Sequence, residues 1–117
     1  MPLRRKRLDS PVLRSDVVDL VALSPDGSTY GLSLVETRPW NSGEEQLRQL
    51  QAKLNAYATF IIDGELDERY PDAPTKKKMI ILQALEEPIG EALAFLEKAA
   101  DILAQDDITL EVWPLDD

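Results

Sequence analysis

The sequence of 117 residues contains no cysteine and no histidine. Without thiols, disulfide bonds and thiolate metal sites are excluded, and without imidazole a zinc site would have only carboxylate ligands, which is uncommon for that metal. No serine has a histidine to activate it, and the five glycines follow no phosphate-binding pattern. We therefore expect a protein that is not an enzyme, with no catalytic residue, no metal and no cofactor.

Long apolar runs and an export signal are also missing. No apolar stretch approaches the roughly 20 residues that cross a bilayer. The basic start MPLRRKR leads into LDSPVLRSD and not into the apolar core of a signal peptide. We expect a cytoplasmic protein that does not bind membranes.

Basic residues are few and unevenly distributed. The net charge is −9, and five of the 13 basic residues lie within residues 1–14, whereas residues 15–117 carry 21 acidic and 8 basic side chains. An acidic body repels phosphate backbones, since nucleic-acid affinity comes largely from Lys and Arg. We expect residues 1–15 to be a basic, disordered tail, residues 16–117 to be a single α+β domain, and nucleic acid not to be a partner.

Hydrophobic periodicity predicts four strands and two helices. A strand and its return strand surround the turn residues Asp26-Gly27, and a helix begins at a capping box of Ser42 and Glu45. Leu66 and Tyr70 are four residues apart, a spacing that would let both side chains anchor a short helical turn in the charged connection after the first helix. The predicted strands are 17–23, 29–36, 79–85 and 108–113, and the predicted helices are 42–62 and 89–104.

These elements follow the order ββαβαβ, which predicts a two-layer sandwich: a four-stranded mixed sheet with both helices on one face. The helix between the third and fourth strands favours a parallel crossover, and the apolar third strand favours a central place. The pattern does not determine the strand order. The uncovered face would carry Met79, Ile81, Gln83, Thr109, Glu111 and Trp113, and this half-apolar set predicts a homodimer through the sheet.

Aromatic and polar side chains near the predicted helix ends are candidates for a binding surface. Trp40, next to Pro39, is either an exposed anchor or a staple that packs back on the first helix. Phe60 lies off the centre of that helix's apolar arc, where it either bridges the helices or joins an interface. The candidate binding or interface residues are Arg38, Trp40, Asn55, Tyr57, Phe60, Asp63, Tyr70 and Trp113.

Two alternatives involve chemistry or a ligand. Asp19 and Glu36, with Asp63 as a further carboxylate, resemble the acidic residues of metal-dependent hydrolases, although Arg38 stands where such sites have a lysine and cannot act as a base. The competing interpretation is an ion pair at the end of the strand. The other alternative is a small-ligand pocket near Trp40, Asn55 and Tyr57.

One resemblance extends over most of residues 16–112. It is carried by Val18-Asp19, by Arg38-Pro39-Trp40, by the run LQAKLNAY, and by Phe60, Asp63-Gly64-Glu65-Leu66 and Tyr70-Pro71. These residues resemble a family of small bacterial proteins of unknown function, which implies a bacterial, stand-alone domain and no particular activity. The leading interpretation is a non-enzymatic protein-binding module with an acidic surface. It would either self-associate or attract a basic partner, as toxin-neutralising immunity proteins do.

Overall fold

The computed structural model describes residues 20–40 and 43–115. In chain order the elements are β1 (Leu20–Leu23), β2 (Thr29–Glu36), α1 (Gly43–Ile62), α2 (Glu65–Arg69), β3 (Lys77–Ala84), α3 (Gly90–Ala104) and β4 (Ile108–Pro114). The predicted tail, the residues assigned to the start of β1, and Ser42 of the capping box lie outside the described residues.

β1 and β2 form the predicted hairpin, because the turn between them satisfies its own polar groups. Asp26 accepts hydrogen bonds from the Ser24 hydroxyl at 2.7 Å and from the N–H and hydroxyl of Ser28. Together these bonds lower the pKa of Asp26 to about 2, and the bond from Ser24 has the largest effect. Gly27 follows with φ of 76°, a value that favours glycine. The two strands then pair antiparallel, with Leu23 opposite Tyr30.

The sheet is mixed, as predicted, and its strand order is β1-β2-β3-β4. β2, β3 and β4 are mutually parallel because a helical segment separates each from the next along the chain. β3 therefore has a strand on each side, which confirms its predicted central place. The prediction of two helices is wrong, since the described residues contain three and the order is ββααβαβ.

The core occupies one face of the sheet. The strand residues in the core cluster alternate with residues of the other face, and helices α1 and α3 both contribute to the same cluster. The Tyr57 hydroxyl of α1 donates a hydrogen bond to the Ser33 carbonyl at 2.8 Å, so its polar group is satisfied inside the core. The principal members are Tyr30, Leu32, Leu34, Leu50, Leu54, Tyr57, Phe60, Leu66, Ile80, Leu82, Leu96, Leu103 and Ile108.

The additional helix α2 lies in the long connection between α1 and β3. It forms because Leu66 is fully buried and anchors a single turn, as the spacing of Leu66 and Tyr70 indicated. A 3₁₀ turn at Ala73–Thr75 follows, and the Lys78 ammonium donates to the carbonyls of Ala73 and Lys76. The connection is thus tied to the core through Leu66 and Ala73.

Tyr30 attaches the same connection to β2. Its hydroxyl donates to the Asp72 carboxylate at 2.5 Å, and its ring lies 5.2 Å from that of Tyr70. The bond to Asp72, followed by burial, raises the pKa of Tyr30 to about 12.

We expect Tyr30→Phe to lower the free energy of unfolding by about 1 kcal/mol at neutral pH, because one hydrogen bond to a partly solvated carboxylate is lost. The ordinary tyrosine pKa is 10.0 and the folded pKa is higher, so the contribution is complete below pH 10 and is lost as the pH rises towards 12. Urea unfolding at a series of pH values measures both effects. Tyr70→Phe is the matched control, and an equal loss in both variants would contradict the assignment.

Candidate protein-binding surface

β4 is an edge strand, with β3 as its one neighbour among the described elements. Leu115 donates its N–H to the Ala84 carbonyl of β3, and in a regular strand alternate residues turn the same way. Residues 113, 111 and 109 therefore direct their backbone groups to β3. The backbone groups of Leu110 and Val112, and the carbonyl of Pro114, point away from the sheet. Pro114 has no N–H, a common feature of strand edges.

The side chains at the end of β4 are apolar and exposed. Val112 on the core face is 39% exposed, and Trp113 on the other face is 43% exposed. The Trp113 indole N–H donates to the Glu111 carboxylate at 2.8 Å, which fixes the ring along the strand. Leu85, which continues β3 beside this point, is about half exposed. We call Leu85, Glu111, Val112, Trp113 and Pro114 the β4 edge surface.

The middle of the sheet face opposite the core is much less exposed than this edge. Ser33 and Ile81 are both buried there. A Cβ at Gly31 would lie 3.0 Å from Ile81 Cδ1, so glycine makes room for the isoleucine. The exposed apolar area of the sheet is therefore concentrated at β4.

A second cluster lies where β2 ends and α1 begins. Glu36 continues the buried, core-facing alternation of β2 and is only 2% exposed. Arg38 donates from Nε to Glu36 Oε2 at 2.9 Å and from Nη2 to Oε1 at 2.9 Å, and its remaining Nη1 bonds Gln49. Hydrogen bonding to Glu36 raises the pKa of Arg38 above its ordinary value, so the guanidinium stays charged.

This geometry is that of an ion pair at the end of β2. It is also relevant to the alternative of a metal-dependent hydrolase, for which Glu36 would have to hold a metal ion. Both oxygens of Glu36 accept hydrogen bonds from Arg38, and Asp19 lies outside the described residues. Asp63 is exposed beyond the far end of α1. Within residues 20–40 and 43–115, no group of three or more acidic side chains could hold a metal ion.

Trp40 packs back on the core and also makes a hydrogen bond outside α1. Its ring packs against the core as a staple would, while its indole N–H donates to the Glu86 carbonyl at 2.7 Å. It borders a pocket of about 300 Å³ formed with Leu47 and Ile89. This contact joins the start of α1 to the segment after β3.

The other predicted site residues do not converge. Tyr57 and Phe60 are buried in the core, and the Arg69 guanidinium lies 5.6 Å from the Phe60 ring. Asn55 is exposed on α1. From Arg38 to Asp63 the chain runs the whole length of α1, roughly 30 Å at 1.5 Å per residue. The sequence therefore named one member of the β4 edge surface, Trp113, as a binding residue. The sequence pattern does not predict the exposure of Val112 and Leu85, because exposure at an edge depends on strand order.

Over residues 20–40 and 43–115, these observations define a small α+β protein with a four-stranded mixed sheet, three helices and an apolar edge strand. No helix of the described part is long and apolar enough to span a membrane. The chain belongs to the Family of unknown function (DUF6572), whose model matches residues 10–116. This confirms the resemblance to a family of unknown function. No curated protein and no solved structure matches the chain.

Proposed function

We propose that the chain is a non-enzymatic protein-binding module that forms a homodimer through the β4 edge surface. The observation that carries the proposal is the simultaneous exposure of Val112 and Trp113 on the two faces of an edge strand. An edge with unpaired backbone groups and apolar side chains is a template for pairing with another strand. A bacterial cytoplasm is part of the proposal, supported by the resemblance to bacterial proteins.

The proposal includes a two-layer sandwich. Its support is that α1 and α3 contribute to one core cluster with a single alternating set of strand residues. In that arrangement neither helix obstructs an extension of the sheet beyond β4. Two copies would then form a continuous sheet around a two-fold axis, the commonest symmetry of homodimers.

The register of this pairing follows from charge and backbone direction. Antiparallel pairing of Glu111 with itself would place two carboxylates opposite each other, which is unfavourable. A shift that pairs Val112 with Val112 of the second copy avoids this and places Glu111 opposite Trp113. It also uses the outward-pointing groups: the two Val112 residues exchange N–H···O=C bonds, and Leu110 donates to the Pro114 carbonyl.

We expect Val112→Lys to dissociate the dimer, because two ammonium groups would lie opposite each other at the two-fold axis. The dimer dissociation constant should rise at least about tenfold. Light scattering coupled to size-exclusion chromatography over a dilution series measures it. Ile89→Lys, at a more exposed apolar position beside Trp40 and Leu47, is the matched control and should leave the dimer unchanged.

A wild-type chain that is monomeric at every concentration would contradict the homodimer. A basic protein partner is the second candidate, because the net charge of −9 favours encounter with a basic surface. Salt distinguishes the two: screening should strengthen association between acidic copies and weaken association with a basic partner.

A further inference from the structure

An open groove of about 920 Å³ lies at the amino-terminal ends of β3 and β4, far from the carboxyl end of β4 that carries the β4 edge surface. The last turns of α1 and α3 and the 3₁₀ turn before β3 form its other walls. Its volume is within the roughly 300 to 1,000 Å³ typical of small-molecule sites. It shares no residue with the β4 edge surface.

The groove has an aliphatic lining that leaves room for a ligand. Ile61 and Ile62 line it from α1, and Ala100 and Ala104 line it from α3. Ile62 is 54% exposed, which is a large exposed fraction for an isoleucine at the end of a helix. The alanines are small and occupy little of the groove, so an aliphatic ligand body would bury apolar surface against both helices.

Asp67 of α2 contributes a polar atom that lacks a partner. Its Oδ1 is buried and accepts no hydrogen bond within the described part of the chain. A buried acceptor without a donor costs free energy, and buried polar atoms in native proteins nearly always have a partner. Oδ1 is out of reach of solvent, so the Asp67 side chain, which lines the groove, would have to turn towards a ligand for an N–H donor to supply the missing bond.

Lys76 and Lys77 contribute the opposite charge to the same groove. Neither ammonium makes a hydrogen bond or an ion pair to any residue in 20–40 or 43–115, whereas the adjacent Lys78 is bound to two backbone carbonyls. Asp106 and Asp107 also line the groove, yet no ion pair joins them to these lysines. Both ammonium groups are therefore open to pairing with an anionic group of a ligand.

We propose that this groove binds a small dipolar ligand, an aliphatic molecule with an amine at one end and a carboxylate at the other. The amine donates to Asp67, the carboxylate pairs with Lys76 and Lys77, and the aliphatic part packs between Ile61 and Ala104. Complementary charges at both ends give the groove a preference for the dipolar molecule over one that carries a single charge.

The probes are 4-aminobutyrate, 6-aminohexanoate and 8-aminooctanoate, which differ in the distance between amine and carboxylate. Each is titrated into the isotopically labelled full chain and followed by NMR, with hexylamine and hexanoate as single-charge controls. We expect one probe to bind at least about tenfold more tightly than both controls and to shift amide signals of the groove residues. No saturable shift with any probe, or equally tight binding of a single-charge control, would overturn the proposal.

Variants then test which residues hold the ligand. Asp67→Asn and the double variant Lys76→Gln with Lys77→Gln should each weaken binding at least about fivefold. Ala104→Leu should block the groove, whereas Ala94→Leu, exposed on the same helix but outside the groove, should not.

Ala104 is exposed, so its variant keeps the test available if the Asp67 variant does not fold. Unchanged binding in folded Asp67→Asn, or equal losses in the two alanine variants, would refute the assignment. Val112→Lys should leave ligand binding unchanged, so failure of the dimer and failure of the groove are distinguishable.

Discussion

Replacing Arg38 with alanine is expected to lower the free energy of unfolding by about 2–3 kcal/mol. The variant would leave the Glu36 carboxylate buried on the core face without its two charge-assisted hydrogen bonds, and removing one partner of a buried pair typically costs about 3–5 kcal/mol. The lower value reflects the side chain of Arg38, which is 32% exposed, so that water can partly replace the guanidinium. Urea unfolding followed by circular dichroism measures the change.

Two further variants separate the buried charge from other causes. Adding Glu36→Gln to Arg38→Ala should recover part of the lost stability, because a neutral amide costs less to bury than an unpaired carboxylate. Arg48→Ala is the matched control, since Arg48 pairs with Glu44 and Glu45 on the exposed side of α1 and should cost less than about 0.5 kcal/mol. An Arg38→Ala variant as stable as Arg48→Ala would show that the Glu36 pair contributes little.

Leu82→Ala in β3 is expected to lower the free energy of unfolding by about 3 kcal/mol. Leu82 is fully buried in the core cluster in the central strand, where truncation leaves a cavity that the neighbouring elements cannot fill. Met79→Ala in the same strand should cost about 1 kcal/mol, because Met79 belongs to the other face and is only partly buried. Chemical unfolding of both variants in parallel gives the comparison.

Equal losses in these two variants would contradict the assignment of the core to the Leu82 face. The comparison is sharp because the two residues lie in one strand and differ mainly in the face that they occupy. It also tests the part of the fold that supports the β4 edge surface, since β4 packs against β3.

Local patterns were sufficient for several elements. The alternation of Thr29–Glu36 predicted β2 with the bounds that the structure has, and the leucine spacing of α1 placed its end at Ile62. These predictions succeed because the period of a strand or helix is set by its own backbone geometry. The helix α2 was indicated only as a turn at Leu66 and Tyr70, since five residues are too few for a periodic signal.

The candidate surface was only partly predictable. Trp113 was named from its residue type, but Val112 and Leu85 look like ordinary buried strand residues in the sequence. Conversely, Tyr57 and Phe60 were named as binding candidates and lie in the core, where packing accounts for both. Residue type indicates how often a side chain is buried in proteins, whereas the packing of neighbouring elements decides whether it is buried here.

The sequence by itself determined the acidic character, the hairpin, α1, α3 and the absence of thiol and imidazole chemistry, because these depend on composition and on contacts between residues close in the chain. Only the tertiary structure decided that β4 is the edge strand, that Glu36 is buried against Arg38, and that Asp67, Lys76 and Lys77 line one groove. The reason is that an edge position, the burial of Glu36 and the lining of the groove all depend on how separate elements pack together. Their meeting depends on strand order and helix placement, which local periodicity does not encode.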